Sequence, residues 1–368
     1  MSRAHNFGAG PAQLPLPVLE KAQSELLDFK ASGMSIMEMS HRSKTYDEVH
    51  QAAIDNVRRL MNVPEDYEVL FLPGGASQQF ALIPLNLMLP GRTADYINTG
   101  SWAGKALKEA QICVKAAGEA DGRRVNVPWD GADGNYSRMP NADELQLTPD
   151  AAYLHICSNE TIQGIRFIEW PRTDAPIIAD MSSEIMSRVI NVADFGMIYA
   201  GAQKNLGPSG LALAIIRRDL LDRCPETVNV YLRYRTHAKE ASLYNTPNTW
   251  AIYLLRLVTD WLIEQGGITA MEERNERKAA LLYDAIDSSD FWRGHAQKPY
   301  RSTMNVSWRL PSEELEAQFV KEATAAGLIG LKGHRSVGGL RASIYNACPV
   351  ESVQALVDFM KEFERRNG

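Results

Sequence analysis

Strand-like and helix-like segments alternate through the first two-thirds of the sequence, and this alternation limits the fold more than any other feature. Short apolar runs are followed by turns and then by segments with helical periodicity. Such alternation predicts a mostly parallel central sheet flanked by helices on both faces. Substrates of such sheets bind beyond the carboxyl ends of the strands, so functional residues are expected there. The apolar runs are "YEVLFL", "ADYIN", "AYLHIC", "APIIAD", "GMIYA" and "LALAII".

The pattern changes after a long apolar helix that ends at the pair Gly266 and Gly267. Charged helices and short strands follow, which predicts a smaller α/β domain. The Gly/Pro-rich N-terminus belongs to no element of the larger part, so we expect it to pack with the smaller one. We therefore predict a large domain over residues 17–265 and a small domain formed by residues 1–16 and 266–368. In the large domain, Thr45 and Glu48 are expected to form a capping box.

Composition excludes several classes of function. The 368 residues carry a net charge of −6 and no basic run with interleaved aromatics, which argues against binding to nucleic acid. No apolar run approaches the length of a membrane span, and the first residues lack the apolar core of a secretory signal. The four cysteines are dispersed and the histidines lack metal-binding spacing, so neither a disulfide framework nor a metal site is expected. These features predict a cytoplasmic enzyme.

A single lysine, Lys204, lies in the small-residue stretch "GAQKNLGPSG" between two apolar runs that predict buried strands. One interpretation is an ordinary solvated lysine, because loops rich in Gly, Pro and Ser commonly carry surface residues. The other interpretation is a nucleophile, because an amine that loses hydration between core elements is suited to form a Schiff base. This stretch by itself leaves both interpretations open.

Three further features follow predicted strands. The turn at residues 74–77 leads into a helix, whose free N–H groups suit a phosphate. Trp102 could stack on a planar ring, and Asp180 could stabilise a protonated pyridine nitrogen. Each alone has an ordinary explanation: a tight turn, a core tryptophan or a helix cap. Together with Lys204, in this order, they predict a site for pyridoxal 5′-phosphate, whose protonated ring is an electron sink.

The sequence resembles the phosphoserine aminotransferase family, class-V aminotransferases of fold type I that use pyridoxal phosphate. The resemblance runs nearly from end to end and implies the fold of that family, a mostly parallel sheet with a smaller α/β domain. The segments that carry it are "NFGAGPAQLP", "MSIMEMSHRSK", "PGGASQQF", "NTGSWA", "SNETIQG", "ADMSSE", "GAQKNLGPSG", "YNTPNT" and "GHRSVGGLRASIYNA".

The resemblance implies a role for each matched residue near the cofactor. Lys204 would hold the cofactor as a Schiff base and move a proton, and Asp180 would pair with the ring nitrogen. Trp102 would stack on the ring, and Thr161 would form a hydrogen bond with the cofactor. The phosphate would be held by Ala76, Ser77 and Gln203 of one chain and by Asn245 and Thr246 of the neighbouring subunit, in a homodimer with shared sites.

The resemblance also implies the reaction and its small-molecule substrates. L-Glutamate and 3-phosphohydroxypyruvate would be interconverted with 2-oxoglutarate and O-phospho-L-serine in serine biosynthesis. A second product, 4-phosphohydroxythreonine, would belong to vitamin B6 biosynthesis. Arg341 would bind the α-carboxylate that these substrates share. The distal phosphate or carboxylate would be bound by His41, Arg42, His334 and Arg335.

Two alternatives compete with transamination. A desulfurase or another lyase of the same scaffold would need a nucleophilic cysteine on a small-domain loop, and "GLIGLKGHRSVGG" contains none. A non-catalytic cofactor carrier would not need Lys204 and Asp180 together with a pocket for anions.

Overall fold

The structure is a computed structural model that describes residues 3–335 and 337–368. No helix in these ranges combines the length and the apolar character that crossing a lipid bilayer requires. The helices are α1 (Leu16–Ser24), α2 (Lys44–Met61), α3 (Gly75–Leu87), α4 (Ser101–Ala117), α5 (Arg218–Leu221), α6 (Tyr234–Lys239), α7 (Thr249–Glu264), α8 (Gly267–Asp287), α9 (Glu313–Ala325) and α10 (Val350–Asn367).

The strands are short, and among the described residues seven of the fourteen belong to one sheet. They are β1 (His5–Asn6), β2 (Tyr67–Pro73), β3 (Thr93–Tyr96), β4 (Arg124–Asn126), β5 (Leu154–Cys157), β6 (Asn159–Glu160), β7 (Ile165–Arg166), β8 (Ile177–Asp180), β9 (Met197–Gly201), β10 (Leu211–Arg217), β11 (Arg293–Gly294), β12 (Asn305–Arg309), β13 (Leu328–Ile329) and β14 (Leu340–Ser343).

The central sheet has seven strands in the order β2-β10-β9-β8-β5-β3-β4. Only β10 runs antiparallel to its neighbours, so the prediction of a mostly parallel sheet flanked by helices is confirmed. Helices α2 and α7 cover one face, and α3 and α4 cover the other. Strands β5, β8 and β9 are buried along their whole length, which explains why they read as continuous apolar runs.

One edge of this sheet gathers the loops in which functional residues were expected. Because β10 is antiparallel to both β2 and β9, those two strands end at the same edge. Strands β5 and β8 run parallel to β9 and end there as well. Strand β8 is the direct neighbour of β9, so Asp180 at its end lies beside the loop that carries Lys204.

A second core lies in the C-terminal part of the chain. Strands β11, β12 and β14 form an antiparallel sheet that packs with α8, α9 and α10. The N-terminus joins this part, because β1 pairs in parallel with β13 and Phe7 is buried in the same core. These contacts agree with the predicted grouping of residues 1–16 with 266–368, and we retain that division as a proposal.

The two parts meet through buried amide side chains. Asn205, next to Lys204, accepts a hydrogen bond from the Asn346 backbone N–H at 3.1 Å. The Asn346 side chain donates to the Met186 carbonyl at 2.8 Å. Asn159 donates to the Asn305 side chain, also at 2.8 Å. Because buried amides need partners, these bonds restrict how the two parts can be placed.

The predicted capping box at Thr45 and Glu48 is wrong. Helix α2 begins at Lys44, and the Ser43 side chain accepts a hydrogen bond from the Tyr46 N–H at 3.3 Å. Thr45 therefore lies inside the first turn. Both serine and threonine suit the cap position, so the sequence pattern left two choices that are two residues apart.

We expect Gly330→Ala to weaken the junction between the N-terminus and β13. Gly330 has φ +84°, and an added Cβ would lie 2.7 Å from the Gly8 nitrogen. The left-handed backbone should cost about 1–2 kcal/mol, and the clash should cost about 1–3 kcal/mol more. Gly327→Ala is the matched control, because it has φ +83° and no neighbour within 4 Å. Urea unfolding measures both, and equal losses in the two variants would contradict the close approach.

Candidate active site

A cavity of about 480 Å³ opens at the carboxyl edge of the central sheet. Loops from both parts of the chain line it, including the N-terminal residues Ala9, Gly10 and Pro11. The structure brings nine of the sequence-predicted site residues to its walls. These are Ala76, Ser77, Trp102, Thr161, Asp180, Gln203, Lys204, His334 and Arg341.

Lys204 is buried in the loop that follows β9, so the solvated-surface interpretation is wrong. Its side chain is only 8% exposed. Its Nζ atom donates a hydrogen bond to the Thr161 hydroxyl at 2.6 Å. The small residues around it let the N-terminal segment approach closely, since the Ala12 N–H donates to the Gln203 carbonyl at 2.8 Å. A nearly dehydrated amine that faces a cavity is suited to covalent chemistry with a carbonyl group.

Asp180 is held in one orientation by a serine that sequence reasoning missed. Its Oδ1 atom accepts hydrogen bonds from the Ser182 backbone N–H at 2.8 Å and from the Ser182 hydroxyl at 2.5 Å. The same hydroxyl oxygen accepts from the Gly201 N–H at 3.0 Å. Burial raises the pKa of Asp180, so a cation in the cavity would stabilise its ionised form.

Glu160 is a second buried carboxyl group that sequence reasoning missed. Its oxygens accept hydrogen bonds from the backbone N–H groups of Trp102 at 3.1 Å and Ala103 at 2.9 Å. These are free donors at the start of α4, because Gly100 at the cap position has no side chain. A Cβ at Gly100 would lie 2.7 Å from the Glu160 carboxyl carbon. Burial raises the pKa of Glu160 to about 7. The carboxyl group thus fixes the helix turn that carries Trp102.

The Trp102 ring forms one wall of the cavity. Its Nε1 atom is buried and has no hydrogen-bond partner among the described residues. The Lys204 Nζ atom lies 5.5 Å from the ring centroid. A second cation, Lys105 Nζ, lies 4.1 Å from the same centroid. In the sequence, the place of Lys105 one helical turn after Trp102 is the only sign of this contact.

The start of α3, which lines the cavity, suits an anion. Helix α3 begins at Gly75, after Gly74 with φ +82°, and no side chain caps its first turn. Gln203 lies next to this helix start, because a Cβ at Gly201 would approach both its Oε1 atom and the Ala76 nitrogen. Uncapped N–H groups at a helix start attract a phosphate. The cavity thus offers an anion site, an aromatic wall, a carboxylate and an amine, a set that fits pyridoxal 5′-phosphate.

Arg341 enters the cavity from β14. Burial lowers the pKa of its guanidinium, and no described carboxylate forms an ion pair with it. A half-buried guanidinium with no ion pair among the described residues favours a ligand with a carboxylate. Burial also lowers the pKa of the neighbouring His334, and repulsion by Arg341, Arg335 and Lys105 lowers it further.

The structure leaves five predicted site residues outside the lining of this cavity within one chain. Asn245 and Thr246 are exposed and line a separate small cavity of about 50 Å³. They precede α7, whereas His41 and Arg42 precede α2. The five residues outside the lining are His41, Arg42, Asn245, Thr246 and Arg335.

Across the described ranges, no group of His, Cys, Asp and Glu side chains is suited to hold a metal ion.

Comparison with known proteins agrees with this geometry. The family model for class-V aminotransferases matches residues 4–356. The phosphoserine aminotransferase of Geobacillus kaustophilus is 54% identical over 367 residues, which is 100% of this chain and 99% of that protein. The enzyme of the same name from Pseudomonas aeruginosa is 52% identical over 100% of this chain and 99% of its own length.

Solved structures give the same result. The phosphoserine aminotransferase from Bacillus circulans subsp. alkalophilus superimposes with a TM-score of 0.95 at 50% identity, covering 100% of this chain and 99% of that one. The enzyme from Trichomonas vaginalis, solved with pyridoxal phosphate bound, superimposes with a TM-score of 0.92 at 42% identity, covering 98% of this chain and 100% of that one. The chain therefore belongs to the class-V aminotransferase family.

Proposed function

We propose that this enzyme is a phosphoserine aminotransferase that uses pyridoxal phosphate. It interconverts L-glutamate and 3-phosphohydroxypyruvate with 2-oxoglutarate and O-phospho-L-serine. The observation that carries the proposal is the match of proteins with this name to the whole chain, at 54% identity in the case of Geobacillus kaustophilus. Formation of 4-phosphohydroxythreonine is a second proposed activity, because it would use the same carboxylate and phosphate subsites.

Residues of the cavity supply what the cofactor needs. When bound, pyridoxal phosphate supplies an electron sink that lets an amino group move between two carbon skeletons. The start of α3, with Ala76, Ser77 and Gln203, would bind the phosphate. Asp180 would stabilise the positive ring nitrogen, held in place by Ser182. Trp102 would cover one face of the ring, and Thr161 would form a hydrogen bond at its edge.

Lys204 performs the proton transfer in this proposal. Its amine donates a hydrogen bond to the Thr161 hydroxyl at 2.6 Å, which would orient it. The amine would take a proton from the substrate Cα and would then act as the acid that gives the proton back. Arg341 holds the α-carboxylate and so presents the Cα to this amine.

The alternatives fit the site less well. The cavity lining contains no cysteine among the described residues, and Cys348 is buried, with its pKa raised by burial to about 11. A thiol in that state is a poor nucleophile, which disfavours a desulfurase. A carrier would leave the half-buried Arg341 and the amine of Lys204 without a role. A cytoplasmic location belongs to the proposal, because all four cysteines are free.

We propose that the active form is a homodimer with shared sites. Helices α2 and α7 lie side by side and begin at the same end, since His50 contacts the Ala241 carbonyl at 2.8 Å and Asn56 donates to Asp260 at 2.7 Å. The pair before α2, His41 and Arg42, and the pair before α7, Asn245 and Thr246, are therefore expected to share one surface. Exposed apolar side chains belong to the chain segments beside it, which favours a protein partner. The pairs are His41 with Arg42 and Asn245 with Thr246, and the apolar residues are Leu27, Met34, Met37 and Tyr244.

The first test of the function uses L-glutamate alone. The cofactor-loaded enzyme should release about one 2-oxoglutarate per site, and later addition of 3-phosphohydroxypyruvate should release O-phospho-L-serine. Lys204→Ala should slow this release by about 100- to 10,000-fold, because it removes the acid–base group. Rapid-quench product analysis measures both steps. Formation of alanine and sulfide from cysteine in the presence of a thiol reductant, with no 2-oxoglutarate from glutamate, would indicate a desulfurase, and no product from either amino acid would indicate a carrier.

A second test concerns the shared site. A chain with Lys204→Ala is combined with a chain that carries Thr246→Asp, whose carboxylate would repel the cofactor phosphate. Each parent should be inactive, while the hybrid should regain activity at one of its two sites. Isolated hybrids with distinct affinity tags make the measurement direct. An inactive hybrid would show that each chain builds its site alone.

A further inference from the structure

Lys105 lies against Trp102, which lines the cavity, and has no anionic partner among the described residues. It is exposed on α4, one turn after Trp102. Its Nζ atom lies 4.1 Å from the Trp102 ring centroid, and among the described residues no carboxylate forms an ion pair with it. The ammonium group therefore rests on the wall of the site instead of being neutralised at the surface.

The Trp102 ring lies close to both Lys105 and Lys204, so Lys105 is near the atoms that react. The centroid of the same ring lies 5.5 Å from the Lys204 amine, where the reacting carbon must bind. In glutamate, the distal carboxyl carbon is three bonds from the reacting carbon. In 3-phosphohydroxypyruvate, the phosphorus is also three bonds away. A cation beside the ring that covers the cofactor can therefore reach the distal anion of either substrate.

The charges around the cavity need an anion to balance them. Arg341 is unpaired within the described chain, and Lys105 and Arg335 both act by repulsion on His334, which lines the cavity. Like charges at this spacing repel each other when the site is empty. An anion with two charges would relieve the repulsion, and a substrate with no distal anion would not.

We propose that Lys105 is a specificity-determining residue that binds the distal phosphate or carboxylate of the substrate. This role rests on the proposed function of the enzyme. When substrate is absent, the ammonium group lies over the indole ring, which is a weaker contact than a charge-assisted hydrogen bond. Substrate binding exchanges one contact for the other, and the flexible lysine stem permits that movement.

The test compares Lys105→Met with Lys108→Met. Lys108 is exposed one turn further along α4, and among the described residues only Lys105 and Lys204 place an ammonium group over the Trp102 ring, so Lys108→Met makes the same change of charge away from that ring. The measurements are kcat/KM for 3-phosphohydroxypyruvate and for pyruvate, which lacks the distal anion. We expect Lys105→Met to lower kcat/KM for the phosphorylated acceptor by about tenfold or more, as for loss of one charge-assisted contact. For pyruvate, the change should be less than about twofold, as for a surface substitution.

Two further measurements separate this role from support of the Trp102 ring. Lys105→Arg should restore most of the preference for the phosphorylated acceptor, and the affinity of Lys105→Met for pyridoxal phosphate should equal that of the wild type. Equal losses for both acceptors, a loss of cofactor affinity, or the same selectivity change in Lys108→Met would overturn the proposal. The same two values of kcat/KM for the wild type test the proposed function separately. If that function is wrong, the wild type will show no preference for 3-phosphohydroxypyruvate over pyruvate.

Discussion

A buried ammonium group shares one small volume with two buried carboxyl groups, and the arrangement of the active site depends on this grouping. Lys204 forms its hydrogen bond with the Thr161 hydroxyl and no ion pair with Asp180 or Glu160 among the described residues. Burial raises the pKa of both carboxyl groups, because charges removed from water need compensation. Backbone N–H groups compensate Glu160, and Ser182 compensates Asp180. A cofactor with a cationic ring nitrogen would complete the balance at Asp180.

The adjacent residues Glu160 and Thr161 connect the two sides of this site. Glu160 binds the backbone at Trp102, and Thr161 binds the Lys204 amine. The short strand β6 and the residue after it thereby set the distance between the aromatic wall and the amine. Because a displacement of about 1 Å can cost a factor of 100 in rate, a rigid segment at this position has a direct effect on chemistry.

Much of the site could be predicted because the alternation of strands and helices places loop residues at one sheet edge. Asp180 and Lys204 were found in this way, since each follows a recognisable buried strand. Glu160, Ser182 and Lys105 were missed because their roles arise from contacts between segments that are distant in sequence or that depend on side-chain direction. The predicted start of α2 was wrong by two residues, since Ser43 and Thr45 are both residue types that suit the cap position. For the five residues outside the cavity, one chain offers no neighbouring surface from which their contacts could be deduced.

The pairing of β1 with β13 affects when the N-terminal part of the site can assemble. Strand β1 is synthesised before its partner, which follows more than 300 residues later in the chain. Until then, Ala9 also lacks the Tyr345 hydroxyl that donates to its carbonyl at 2.9 Å. Contacts of such high sequence separation form late and slowly. The wall of the cavity to which Ala9 belongs is therefore completed only after the segment around Tyr345 has been made, although Ala9 itself is made much earlier.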